Sequence, residues 1–243
     1  MILDRYFEET NKILTKIKNT QRDKVDAASD IIANVIKNNG IIYVFGCGHS
    51  HLIGLDSFYR AGGLANVSAI LDTDLMLHNG AAKSSAFEKM TGLAPAILKR
   101  YAVTENDVLI ISSTSGRNGV PVEMAVEARK RNIKTIGIVS SAYFNEKSRY
   151  KDGELLYNNV DIYIDNCVAY GDTALRLDDK TEAMGSISTM AGIFILQSSI
   201  ISGTDKAIKM GAVPDIYRSG NVGNGGEHNS KLVDKYIACI KHL

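Results

Sequence analysis

The stretch Gly40-Ile41-Ile42-Tyr43-Val44-Phe45-Gly46-Cys47-Gly48-His49-Ser50 decides the fold of this chain. Five consecutive apolar residues, opened by Gly40 and closed by Gly46, read as a short strand buried on both faces, the pattern of a central parallel strand. Two glycines and a serine then lead into Leu52 to Tyr59, where Leu52, Leu55 and Tyr59 recur at helical spacing. Strand, tight glycine turn and helix start follow one another. Such a junction aims unpaired backbone N–H groups and the positive end of a helix dipole at one spot, and its glycines let an anion approach the backbone. The turn reads as a phosphate cradle.

The chain outward from this turn repeats the design. Before it, Leu3, Phe7, Leu14 and Ile17, then Val25, Ala28, Ile32, Val35 and Ile36, predict two amphipathic helices that end at Asn38-Asn39-Gly40. Both helices precede the first strand, and part of their surface is expected to meet a partner subunit. After it, Val67 to Leu71 reads as a second strand, followed by a polar stretch from Asp72 to Gly80, and Ser85 to Arg100 as a helix that Pro95 restarts or kinks. Asp107 to Ser112 is a third strand. It runs into Ser113-Thr114-Ser115-Gly116-Arg117-Asn118-Gly119 and a helix with Pro121 in its first turn. Lys134 to Ser140 and Val160 to Asp165 supply strands four and five, and a further helix lies within Asp178 to Ser202. A polar glycine-rich loop, Ser219 to Asn229, precedes a terminal helix from Ser230 to His242.

Alternating strands and helices predict an α/β fold, a doubly wound parallel sheet whose ligands sit beyond the carboxyl ends of the strands. The expected division is a helical segment over 1–40, a ligand-binding domain over 41–202 and a loop and helix over 203–243 that pack on it. With 243 residues a sizeable core can form. A net charge of +1, from 28 basic and 27 acidic residues, gives no field for nucleic acid or an anionic membrane. Cys47, Cys167 and Cys239 show no CxxC spacing, so neither a disulfide framework nor a zinc knuckle is expected, and a reducing cytoplasm suits them. The first residues alternate charge and hydrophobe, unlike a signal peptide, and no apolar run approaches the ~20 residues of a membrane span. A soluble, cytoplasmic protein without cofactor or metal is the expectation.

The two turns carry the chemistry. Gly46, Gly48, His49 and Ser50 lie on one, Ser112, Ser113, Thr114, Ser115 and Asn118 on the other, each at the carboxyl end of a strand with small hydroxyl donors. Serines at helix starts are commonly plain N-caps. Two such turns on one edge fit the oxygens of a single phosphate monoester. Gly46-x-Gly48 also opens a dinucleotide fingerprint, and Asp72 and Asp74 follow the second strand. The third glycine position holds His51, however, which argues against a pyrophosphate crossing the turn.

FGCGHS and ISSTSGRN, at this spacing, resemble the SIS (sugar isomerase) domain over about Asn38 to Ser202. The resemblance implies a five-stranded parallel sheet that binds a phosphorylated sugar, with Ser50, Ser113, Ser115 and Asn118 on the phosphate. Asn118 stands where a threonine is usual, and His49 where serine or threonine is frequent. Thr181 to Thr189 is similar to the segment before the last helix of amino-sugar isomerases and N-acetylmuramic acid 6-phosphate etherases. The isomerase glutamate is offset there by one residue, the isomerase lysine is Met190, and Tyr59 replaces the etherase acid.

Aldose–ketose isomerisation needs a base that moves a proton between adjacent carbons and often a group that opens the ring. Glu182 and Glu88 are the base candidates; His228, with Glu227 beside it, is the ring-opening candidate. Acidic residues on helices are ordinarily solvated, and a surface histidine ordinarily does nothing. His49 and His51 form a possible metal pair whose side chains should diverge at a helix start, and Arg117 and Arg60 are as ordinary on a surface as in an anion grip. The expected protein is a homo-oligomeric sugar-phosphate isomerase working through an enediol, with His228 acting in its own or a neighbouring subunit's site. A lyase or etherase with the same phosphate grip and a non-catalytic phosphosugar sensor are the alternatives.

Overall fold

The computed structural model describes residues 1–243, the side chain of Asp152 excepted. Helices α1 (Ile2–Thr20) and α2 (Arg22–Lys37) open the chain, and β1 (Ile42–Gly46) follows, buried at every position. Then come α3 (His51–Ser57), β2 (Val67–Ile70), α4 (Ala81–Phe87), α5 (Ala94–Arg100), β3 (Val108–Ser112), α6 (Gly119–Lys130), β4 (Lys134–Val139), β5 (Ile162–Asp165), α7 (Ser188–Lys209) and α8 (Gly225–Tyr236).

The five strands form one parallel sheet in the order β2-β1-β3-β4-β5. Side chains of β1 alternate between the two faces, as a pleated strand requires. Tyr43 and Phe45 join a core with Leu98 of α5, Met124 of α6 and Leu232 of α8. Ile42 and Val44 join the opposite core, with Ile32 of α2, Ile53 of α3 and Ile195 of α7. Helices therefore cover both faces, which is why the strands are almost continuously apolar. The chain lays β2 on one side of β1 and β3 on the other, so its direction of winding reverses between β1 and β3. That reversal opens a crevice at their carboxyl ends, where α/β sheets take their ligands.

Three close approaches fix the layers. A methyl on Gly203 of α7 would lie 2.6 Å from Ile32 Cγ2 of α2, so glycine lets these two helices touch. Asp107 accepts from the backbone N–H of Ile41 and Thr104 and from the Thr104 hydroxyl, each at 2.8 Å, which ties the starts of β1 and β3 together. Glu123 of α6 accepts from the N–H groups of Gly92 and Ala94, capping α5 from a neighbouring helix.

Helix boundaries differ from the expectation at three places. Ser85–Arg100 is not one helix but α4 and α5: the first ends at Phe87, Gly92 in the connection takes φ +95°, and Pro95 stands in the opening turn of α5. The helix placed within Asp178–Ser202 starts at Ser188 and runs on to Lys209, because Asp172 reaches across and accepts from Ile187 N, Ser188 N and Ser188 Oγ. The last helix starts at Gly225, five residues early. Gly225 packs against the Ser219 carbonyl, where a Cβ would fall at 2.1 Å, so the polar glycine-rich segment itself becomes the first turn of the helix. Among the described residues, no helix is long and apolar enough to cross a membrane.

Candidate functional site

Gly46 is paired with Ser112 in the β1–β3 register, so the two serine-bearing turns leave neighbouring strand ends side by side. In the first turn Gly48 adopts φ +56°, and Ser50 closes a tight bend by donating its N–H to Cys47 O at 3.0 Å. Cys47 is buried. Burial, with the Glu88 and Asp72 charges beside it, pushes its thiol well above the usual value, which leaves it an apolar packing group and not a nucleophile. His49 points to solvent, whereas His51 is buried with Nδ1 against the Gly48 carbonyl. Burial and the neighbouring His78 and His49 imidazoles hold His51 below the ordinary histidine value. The two histidines diverge, and among the described residues no group of three or more His, Cys, Asp or Glu is arranged for a metal ion.

In the second turn Ser113 donates its N–H to Ile138 O, and its hydroxyl accepts from Gly116 N at 3.2 Å. Its own hydroxyl hydrogen remains available to an anion. Thr114 Oγ1 accepts from Asn166 Nδ2 at 3.2 Å, and its carbonyl accepts from Ser140 N at 2.8 Å, so β4 and the segment after β5 brace this turn. Ser115 is half-buried, as is Ser50 on the first turn. Ser112 lies deeper, 2% exposed, where a methyl on Gly192 of α7 would sit 4.0 Å from its Oγ; it forms floor, not wall. Among the described residues the backbone N–H groups of Thr114 and Ser115 meet no protein acceptor. Free N–H groups, serine hydroxyls and the first turn of α6 thus follow neighbouring strand ends, the edge of a parallel sheet at which anions are commonly received.

One carboxylate joins them. Segment 88–90 runs directly against the start of α6: Glu88 O accepts from Val120 N at 3.0 Å, and a methyl on Gly119 would lie 2.1 Å from Met90 O. Glu88 Oε1 accepts from Asn118 Nδ2 at 2.5 Å, and Asn118 Oδ1 in turn accepts from Arg149 at 2.5 Å. Burial raises the Glu88 carboxyl above its ordinary value, while Lys89 and Arg149 pull the other way. The carboxylate is thus hydrogen-bonded at the start of α6, and its charge is felt by the buried Cys47 thiol at the end of β1.

Glu182 and His228 lie elsewhere in the fold. Glu182 is exposed, on a loop and not on a helix; that loop rests on α1, with Tyr6 Oη donating to Ser186 O and Arg5 to Arg176 O. His228 and Glu227 sit on α8, and not in an irregular loop. His228 Nε2 is 2.9 Å from Ile216 O, and Glu227 pairs with Lys231 at 2.8 Å in solvent. Among the described hydrogen bonds none connects these three residues with Ser50, Ser113 or Ser115. Arg60 pairs with Asp56 at 2.5 Å, and Arg117 with Glu146 at 2.9 Å. Arg149 carries no sequence signal of its own. It reaches the site only because its N–H bonds Arg117 O at 2.7 Å and lays segment 146–149 along the turn.

Comparison with known proteins gives the family and the fold. The sequence profile of the SIS domain matches residues 5–140. A UPF0309 protein of Thermoanaerobacter pseudethanolicus is 41% identical over 248 residues, covering 100% of both chains. One of Listeria innocua is 40% identical, covering 100% of this chain and 98% of its own. Among solved structures, phosphoheptose isomerase from Neisseria gonorrhoeae superposes with a TM-score of 0.57 at 15% identity, over 84% of this chain and 100% of that one. A phosphoheptose isomerase from Francisella tularensis gives 0.54 at 16% identity, over 84% and 96%. At such identity the two structures share the fold. With the two turns of its crevice, its strand order and its full-length relatives in agreement, the chain belongs to the SIS domain family and, within it, to the UPF0309 proteins.

Proposed function

We propose that this protein binds a phosphorylated sugar and interconverts its aldose and ketose forms, with Glu88 as the base. The observation that carries the reading is the half-buried Glu88 carboxylate, hydrogen-bonded to Asn118 at the end of the second serine-bearing turn, with its own backbone carbonyl bonded to the first turn of α6. Ser50, Ser113 and Ser115, with the free N–H groups of Thr114 and Ser115, grip the phosphate; Asn118 is engaged with Glu88 and orients the base. Ser112, Gly46 and Gly48 shape the crevice. The neighbouring folds support the substrate class, since both of those described above belong to phosphoheptose isomerases.

In this reaction Glu88 takes the proton from C2 of the open-chain aldose while the carbonyl oxygen on C1 gains one, which gives an enediol. The proton held by Glu88 then passes to C1, the O2 hydroxyl loses its own, and the ketone forms at C2. A carboxyl raised by burial is a better base for a carbon acid than a solvated one.

The test is a panel of aldose phosphates incubated in deuterium oxide, with deuterium at C2 followed by proton NMR. Exchange in the wild type and its loss in Glu88→Gln support the proposal. Binding without exchange makes the protein a sensor, and release of a second product makes it a lyase or etherase; either result overturns the isomerase reading.

A further inference from the structure

Asn118 is held from both ends by partners that agree on its orientation. Arg149 is a donor only and meets Oδ1; the Glu88 carboxylate is an acceptor and meets Nδ2, both at 2.5 Å. An amide is nearly symmetric in shape, so without the guanidinium nothing on that side would distinguish its oxygen from its nitrogen. Arg149 reaches the amide from the connection after β4, which is fastened to the turn by Arg149 N to Arg117 O and by the Arg117–Glu146 ion pair. The far end of this chain of contacts is a carboxylate that the fold has lodged against α6.

We propose that Arg149 is a positioning residue, which sets the Asn118 amide so that its NH2 end faces Glu88. This inference deepens the proposal that Glu88 is the base, and rests on it for its catalytic meaning. Its physical consequence is independent of substrate. A hydrogen bond donated to the carboxylate favours the charged form, and so opposes the effect of burial. The groups that act on Glu88 are Lys89 on its own segment and Arg149, through their charges, and the Asn118 amide at the start of α6, through its hydrogen bond; the Cys47 thiol on the β1 turn feels its charge in turn. Arg149 thus acts on the base in two ways, directly as a cation and through the amide it orients.

The test uses the whole protein alone, with 13C-labelled glutamate carboxyls and 15N-labelled asparagine, the Glu88 and Asn118 signals being assigned by Glu88→Gln and Asn118→Ala. In Arg149→Met the Glu88 midpoint is expected to rise by about half a pH unit or more, and the Asn118 side-chain NH2 signals to move. Arg149→Lys, which keeps a charged donor, should restore most of both. In the Asn118→Ala background the shift caused by Arg149→Met should fall by about half or more, since the relay is already cut. An equal shift in both backgrounds would mean that Arg149 acts only through space, and an unmoved NH2 pair would mean that it does not set the amide; either outcome overturns the proposal. Should Arg149→Met fail to fold, Arg149→Gln, an uncharged donor, takes its place: the NH2 signals must then stay put while the midpoint rises partway. Because no ligand is present, a failure of sugar-phosphate exchange would sink the isomerase reading and leave this result standing.

Discussion

Gly46 and Ser50 are in such close apposition that a methyl on the former would fall 2.4 Å from the carbonyl oxygen of the latter. The first turn therefore folds back onto the end of its own strand, with Ser50 Cβ 2.8 Å from where that methyl would lie. Gly46→Ala must push the turn outward, at a cost of roughly 1–3 kcal/mol for an overpacked site. Urea unfolding should show that loss. Thermal shifts by sugar phosphates should shrink with it, whereas an unaltered response to the panel would mean that this turn does not hold the ligand.

Replacing Glu88 tests the chemistry separately from the grip. Glu88→Gln keeps an acceptor for Asn118 and removes the base, so C2 exchange should drop roughly 10²–10⁴-fold while binding of the same sugar phosphate persists. Glu182→Gln and His228→Gln, whose side chains make no described hydrogen bond to the serine-bearing turns, should change exchange by less than about threefold in the isolated chain. A large loss in either would place that residue in a neighbouring subunit's site.

Glu88 also gives stability a pH signature. Burial raises its folded value above the ordinary 4.5, so its stabilising contribution is complete below that pH and is lost as pH rises through the raised value. Urea unfolding of the wild type and Glu88→Gln from pH 4 to pH 7 should show the wild type losing ground relative to the variant as pH increases. The opposite slope would mean that the hydrogen bond from Asn118 outweighs burial.

Asp107 is 6% exposed and accepts three hydrogen bonds at the foot of β1 and β3. Asp107→Ala leaves those donors without partners and should cost about 3 kcal/mol. Asp107→Asn keeps one acceptor oxygen and should cost roughly half as much. Chemical denaturation of the pair settles the order, and equal losses would point to charge instead of hydrogen bonding.

The strands were legible because each is a short apolar run bounded by glycine or polar residues, and a strand buried on both faces has no other way to look. The two turns were legible for a related reason: a glycine pair and a row of hydroxyls directly after a strand leave few alternatives to an anion site or a cap. Helix limits at Ser188 and Gly225 were not, since they are set by contacts outside the helix, Asp172 on the start of α7 and the Ser219 carbonyl against Gly225. Glu182 and Glu88 looked alike in the sequence. Both are glutamates in polar surroundings, and no local pattern says which one the fold sets against the start of α6.

The sequence by itself determined the parallel sheet, its glycine turns and the edge on which they meet, because burial period and backbone freedom are properties of neighbouring residues. Tertiary structure alone decided that Glu88 meets the Asn118 amide and how Arg149, 31 residues beyond Asn118, comes to hold that amide from its other end. Those placements depend on segment 88–90 packing against the first turn of α6 and on the Arg149 N–H closing on Arg117 O. Such contacts between distant segments leave no periodic trace in the chain, since their energy is realised only once the sheet has brought the segments together.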